Sequence, residues 1–177
     1  MTEEISIENI KVQGKHLPSD NFKEIIENFP IVIVHFLRHL NCMFCKHSVD
    51  ELKKLVEKNP NFPPIIFVHT SNLEKGEIFF QNRFFNNTMH ISDPEQVLYK
   101  KFKIHKMTPS KFFIPTFLKR VVELTFKGYK NEAYKDKEDP TVLSGTFVFF
   151  HGKLKWSHRA ELPGDEPNWS KVFASKK

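Results

Sequence analysis

A chain of 177 residues with 40% hydrophobic and 27% charged residues is long enough for one well-filled core and too evenly mixed to stay disordered. Its 27 Lys and Arg against 21 Asp and Glu leave a formal charge of +6, spread over Lys53-Lys54, Lys100-Lys101, Lys119-Arg120 and Lys176-Lys177. With no RNP-like or zinc-finger pattern, this reads as a mildly basic surface suited to acidic partners, not as a nucleic-acid footprint. The apolar runs fall far short of the roughly 18 residues that span a bilayer, and the start Met1-Thr2-Glu3-Glu4-Ile5 has no signal-peptide core. A cytoplasmic protein without a membrane partner is therefore expected.

In chain order, Gly14-Lys15 reads as a turn, and Ser19 or Asp20 is expected to cap a short helix over 22–28 that Pro30 ends. Residues 31–37 are a continuous β-branched apolar run, as a strand buried on both faces requires. From Cys45, Val49, Leu52, Leu55 and Val56 recur at helical spacing to about Lys58. A second buried strand follows at 65–68, then a helix over about 72–84 and a third strand at 88–92. Asp93-Pro94-Glu95 opens another helix, with Asp93 as cap, Pro94 in the first helical position, and Val97, Leu98 and Phe102 buried. Phe117, Leu118, Val121, Val122 and Phe126 predict an amphipathic helix within an insertion spanning about 105–141. Strands at 145–150 and 154–158 then form a hairpin around His151-Gly152-Lys153, and 168–174 supplies a last helix. The order βαβαβα, insertion, ββ means an α/β fold, a mixed central sheet flanked by helices in a single domain over 1–177. A thioredoxin-like architecture is the economical solution. The 19 phenylalanines imply a bulky aromatic core.

Both cysteines lie in Arg38-His39-Leu40-Asn41-Cys42-Met43-Phe44-Cys45-Lys46, where the first buried strand gives way to a helix. Helix N-terminal N–H groups stabilise a thiolate, the reactive form of cysteine. Cys42, at or just before the first turn, is expected to be the more exposed. Cys45, one turn on, can attack a mixed disulfide or a sulfenic acid on Cys42. Arg38 and His39, with Lys46 and His47, add positive or potentially positive charge. Arg38 is read as a thiolate partner or a strand-end ion pair, and His39 as a proton carrier or a surface histidine. Thr146 is read as a hydrogen-bonding group near the sulfurs or a plain strand residue. Two other readings of the cysteine pair stay open: an inert structural pair, and a metal site built on His39-x2-Cys42-x2-Cys45-x-His47, which lacks a second ligand pair and would be strained. Haem attachment needs His directly after the second cysteine, where Lys46 stands.

The segment Phe36-Leu37-Arg38-His39-x-x-Cys42-x-x-Cys45-Lys46 resembles the signature of the peroxiredoxin-like branch of the alkyl-hydroperoxide-reductase/thiol-specific-antioxidant superfamily. Asp93-Pro94-Glu95 with Leu98-Tyr99-Lys100, Gly145-Thr146-Phe147 with His158-Arg159, and the amphipathic segment 118–126 extend the resemblance over about 31–159. It implies a thioredoxin fold and antioxidant or thiol-oxidoreductase chemistry, with Cys42 as nucleophile and Cys45 as its partner. Peroxide or a disulfide would be the substrate, an external dithiol such as a thioredoxin or glutathione system the reductant, and no bound cofactor is required. The P-x-x-x-[ST]-x-x-C of true peroxiredoxins is absent: His35 and His39 stand at those places before Cys42. The cis-proline that faces the cysteines in thioredoxins is replaced at the hairpin by Gly145-Thr146, since Ile114-Pro115-Thr116 leads into helical spacing. The alternative to an enzyme is a thioredoxin-like partner-binding or redox-sensing module. The apolar stripe at 117–126 is read as core-facing or as a homodimer or partner surface.

Overall fold

A strand buried on both faces has to be central, and the apolar run after Pro30 takes that place. The computed structural model describes residues 5–108, 114–132, 139–169 and 172. In chain order they form β1 (Gln13–Lys15), α1 (Phe22–Glu27), β2 (Ile31–Phe36), α2 (Met43–Lys58), β3 (Ile65–His69), α3 (Leu73–Gln81), β4 (Met89–Ser92), α4 (Val97–Lys101), α5 (Pro115–Phe126), β5 (Gly145–Phe150) and β6 (Lys153–Arg159). The six strands make one sheet in the order β1-β4-β3-β2-β5-β6. β2, β3 and β4 run parallel, while β1 against β4, β5 against β2 and β6 against β5 are antiparallel.

Alternate residues of the central strands feed two cores. Val32, Val34, Phe36, Ile66, Val68, Phe147 and Phe149 meet Phe22, Ile25 and Ile26 of α1, Leu98 and Tyr99 of α4, and Phe102 just beyond it. Ile33, Leu37, Ile65, Phe67 and Val148 meet α2, Phe80 of α3 and Leu124 of α5 on the opposite face. The phenylalanines cluster as the composition implies. Phe102 is fully buried, with its ring centroid 5.0 Å from Phe36, 4.7 Å from Phe147 and 5.7 Å from Phe22.

Several local expectations are corrected. Gly14-Lys15 is not a turn but part of β1, in register with Ile91 and His90. A Cβ on Gly14 would sit 2.4 Å from the His90 carbonyl oxygen, so the glycine serves close strand approach. Asn21, not Ser19 or Asp20, caps α1, accepting from Lys23 N at 3.0 Å. Asp93 does cap α4, accepting from Val97 N at 2.9 Å and Leu98 N at 2.8 Å. The helix nevertheless starts only at Val97, after Gln96 at φ 56°, which leaves Pro94 in the preceding turn and Val97 exposed. α5 begins at Pro115 in its first turn, packs Phe117, Val121 and Leu124 inward, and leaves Leu118, Val122 and Phe126 exposed. Of the last expected helix, 170, 171 and 173–177 lie outside the described residues. Among the described residues no helix is long and apolar enough to cross a membrane.

Truncating Phe102 to Ala is expected to cost about 3–5 kcal/mol, read as a lower urea midpoint at unchanged slope.

Candidate active site

The first turn of α2 is built without a local cap. Cys42 is its N-cap residue, extended at φ −77° and ψ 127°, and its carbonyl accepts the first helical bond from Lys46 N at 3.0 Å. The free N–H of Met43 is met from far along the chain by Asn131 Oδ1 at 2.9 Å. Glu132 N donates to the Asn41 carbonyl at 3.1 Å, and Lys46 Nζ pairs with Glu132 and donates to the Lys130 carbonyl at 3.2 Å. Residues 130–132 thus lie across the N-terminus of the helix. Both cysteines are buried: Cys42 is 1% exposed and Cys45 2%. The expected exposure of Cys42 is therefore corrected: long-range packing buries it in the core on the α2 side of the sheet.

Arg38 lies two residues past the end of β2, and its guanidinium is held by main chain. Nε donates to the Val142 carbonyl at 3.0 Å and Nη2 to the Pro140 carbonyl at 2.9 Å, which aims Nη1 at Cys42 Sγ, 3.2 Å away. The Arg38 backbone N–H donates to Cys45 Sγ at 3.2 Å. The strand end carrying this arginine is itself fixed, since the Tyr99 hydroxyl bonds the carbonyls of Leu37 and Val68.

Burial is the largest influence on both thiols and pushes each up. At Cys42 it is outweighed by a hydrogen bond from Cys45, the Arg38 charge and the N–H groups of Cys45 and Phe44, which bring the thiol down to about 6. At Cys45 burial and the neighbouring Cys42 sulfur outweigh the Arg38 charge and the His39 N–H and hold the thiol well above the ordinary range. The two sulfurs are thus driven apart, one toward thiolate and one toward neutral thiol.

His39 is 3% exposed, so it is not a surface histidine. Burial first, then the Arg38 and Lys46 charges, lower its pKa to about 3, so it is neutral near pH 7 and its expected titration near neutrality is corrected. Thr146 lies on the same sheet face as the thiols, but its Oγ1 bonds His35 Nδ1 at 2.9 Å, not a sulfur. His35 Nε2 in turn meets Ser48 Oγ at 3.1 Å, and Ser48 Oγ donates to Glu166 Oε2 at 3.2 Å. Sequence reasoning missed His35, Ser48 and Glu166. A histidine inside an apolar strand, and a serine one helical turn after Cys45, were the available signals; Glu166 had none. The two cysteines are free thiols, and among the described residues no group of three or more His, Cys, Asp or Glu gathers as a metal site.

A central parallel strand leading into a helix that opens on two thiols, with an antiparallel hairpin beside it, defines the thioredoxin-like class of thiol proteins. The family model described as AhpC/TSA antioxidant enzyme matches residues 42–161, beginning at Cys42 itself. The chain belongs to that family and is a peroxiredoxin-like, thiol-dependent oxidoreductase. A cysteine-to-serine mutant of Xylella fastidiosa PrxQ is similar at a TM-score of 0.66 and 13% identity, over 100% of this chain and 96% of that one. A cysteine-to-serine mutant of peroxiredoxin 6 from Arenicola marina gives 0.61 at 12% identity, over 97% of this chain and 70% of that one. Xanthomonas campestris peroxiredoxin Q gives 0.54 at 14% identity, over 82% and 76% of the two chains. At such identities the likeness establishes the fold. No curated protein matches the chain in sequence.

Removing the cation should destabilise the thiolate. Arg38→Gln is expected to raise the pH midpoint of Cys42 alkylation by about one to three pH units, with Arg38→Lys recovering part of the loss, both read from alkylation rate against pH.

Proposed function

We propose that the protein reduces hydroperoxides or disulfides through a Cys42–Cys45 dithiol in the cytoplasm, with Arg38 stabilising the attacking thiolate. The observation that carries this reading is the guanidinium of Arg38, pinned by two carbonyls with its free nitrogen 3.2 Å from Cys42 Sγ. With a hydroperoxide, the Cys42 thiolate attacks the terminal oxygen. A sulfur–oxygen bond forms, the oxygen–oxygen bond breaks, and the alkoxide leaves as an alcohol after taking a proton. Cys45 then attacks the sulfenic sulfur, the disulfide forms, and water leaves with the Cys45 proton. An external dithiol, of the thioredoxin or glutathione type, returns both thiols and is itself oxidised to a disulfide. With a disulfide substrate the same two sulfurs act through a mixed disulfide on Cys42. His39, neutral and buried beside Arg38, contributes to the wall against which substrate is held.

The near-complete burial of both sulfurs favours one second reading, a redox-sensing module that reacts only when a partner parts the cover over α2. Mild hydroperoxide treatment followed by intact-mass measurement separates the two. The enzyme reading expects loss of two hydrogens in the parent protein, one captured sulfenic oxygen on Cys42 in Cys45→Ser, and repeated turnover with a dithiol reductant. Oxidation without turnover on either a peroxide or a model disulfide selects the sensor, and thiols inert to both reagents overturn the dithiol reading.

A further inference from the structure

Beside the dithiol, on the same face of the sheet, a polar chain runs from β5 through β2 and α2 to the loop after β6. Thr146 Oγ1 meets His35 Nδ1 at 2.9 Å, His35 Nε2 meets Ser48 Oγ at 3.1 Å, and Ser48 Oγ meets Glu166 Oε2 at 3.2 Å. Ser144 Oγ donates to the other carboxyl oxygen at 3.3 Å. His35, Ser48, Ser144 and Thr146 are all buried. The loop that carries Glu166 is pressed onto the dithiol helix: at Gly164, φ +76°, a Cβ would lie 2.4 Å from Phe44 Cδ1.

Counting protons along this chain gives two arrangements. His35 is neutral, its pKa lowered to about 3 by burial first and then by the His158 charge, so it carries one N–H. With Glu166 ionised, Thr146 donates to Nδ1, Nε2–H donates to Ser48, and Ser48 donates to the carboxylate. With Glu166 protonated, every bond reverses: the acid donates to Ser48, Ser48 to Nε2, and Nδ1–H to Thr146. Reversal releases only the Thr146 hydroxyl hydrogen from its bond to Nδ1, and His35, Ser48 and Glu166 stay paired in both states, so the carboxyl gains or loses a proton at less than the usual cost of stranding a buried charge.

The surroundings set when it does so. Burial, with the charges of Asp165 and Cys42, raises the Glu166 pKa to about 7 against the hydrogen bonds from Ser48 and Ser144. Glu166 lines a cavity of about 280 Å³ with Phe44, Leu124 and Trp169, which joins it to solvent. The other charged or titratable groups around that cavity are His47 and Glu51 of α2 and Arg120, Glu123 and Lys127 beside or on α5. On the same face His35 Nε2 stands 3.8 Å from Glu166 Oε2, and Asp165 is itself occupied by His158 of β6 at 3.5 Å.

We propose that Glu166 is the proton store of the dithiol: it is an acid while Cys42 is a thiolate and becomes a carboxylate when oxidation discharges that sulfur. This rests on Cys42 being the redox thiol. The balance closes over a cycle. The proton released by Glu166 converts the leaving alkoxide to alcohol, and the Cys45 proton leaves in water. Of the two protons brought by the reducing dithiol, one returns to Cys45 and one to Glu166. Glu166 is a positioning residue in this scheme, acting on Cys42 through charge and on His35 through Ser48.

The linkage is read at His35, away from activity. In protein labelled with nitrogen-15 near pH 7, the reduced form is expected to show the Nδ1–H tautomer and the disulfide form the Nε2–H tautomer. Excess diamide makes the disulfide chemically, so the test does not depend on peroxide turnover. In Ser48→Ala the tautomer should lose its redox dependence while Cys42 keeps its reactivity. The alkylation rate of Cys42 against pH should show two inflections in the parent protein, the second as Glu166 ionises, and one in Glu166→Gln, with Glu166→Asp restoring the second. A His35 tautomer identical in both redox forms, or two inflections persisting in Glu166→Gln, overturns the proton store and leaves the dithiol intact. Failure of diamide to link Cys42 and Cys45 overturns the dithiol reading and the proton store together.

Discussion

Two sulfurs removed from water at the mouth of α2 would, left to burial alone, both stay neutral thiols. A hydrogen bond from Cys45 and the Arg38 guanidinium change that for Cys42, and the position of the arginine is not its own to choose. The carbonyls of Pro140 and Val142 occupy two of its donors and direct the third at Cys42. In a medium where charge is poorly screened, a fixed cation at hydrogen-bond distance has an effect that the same arginine in water would not have. The antiparallel register that sets Phe36 opposite Gly145 brings residues 140–142 to Arg38 in the first place. The chemistry of the site therefore depends on strand pairing between segments about a hundred residues apart.

The same helix mouth shows how donors are divided. The Met43 N–H is satisfied by Asn131, while the N–H groups of Phe44 and Cys45 act on the Cys42 sulfur. A helix N-terminus needs partners for its unpaired N–H groups, and here a thiolate and a borrowed amide share the task. The borrowed amide comes from 88 positions beyond the N–H it meets, so the helix is capped by tertiary structure. The hydrogen bond from Cys45, the Arg38 charge and the helix N–H groups lower Cys42, while burial and the neighbouring sulfur raise Cys45. Opposite protonation states in adjacent thiols are what an attacking and a resolving group require.

The aromatic core on the far face of the sheet anchors this arrangement. Phe36 stacks among Tyr99, Phe102 and Phe147, and Tyr99 hydrogen-bonds the ends of β2 and β3. Packing on one face thereby locks the strand end from which Arg38 reaches toward the other.

The central strand at residues 31–36, the helix after Cys45 and the hairpin at 145–159 were legible in the sequence by itself, because each rests on local periodicity and turn residues. The proximity of Arg38 to the two cysteines was legible too, since Arg38, Cys42 and Cys45 lie within eight positions of one another. β1 was not, because three residues around a glycine form a strand only when β4 offers its edge. The start of α4 slipped by three residues because a left-handed Gln96 carries no sequence signature. Only the tertiary structure decided that Cys42 is buried, that His39 is neutral, and that Thr146 serves His35. It alone brought Glu166 to Ser48 across 118 positions. Burial and long-range hydrogen bonds are properties of the packed chain, and they shift Cys42, Cys45 and His39 away from their ordinary protonation.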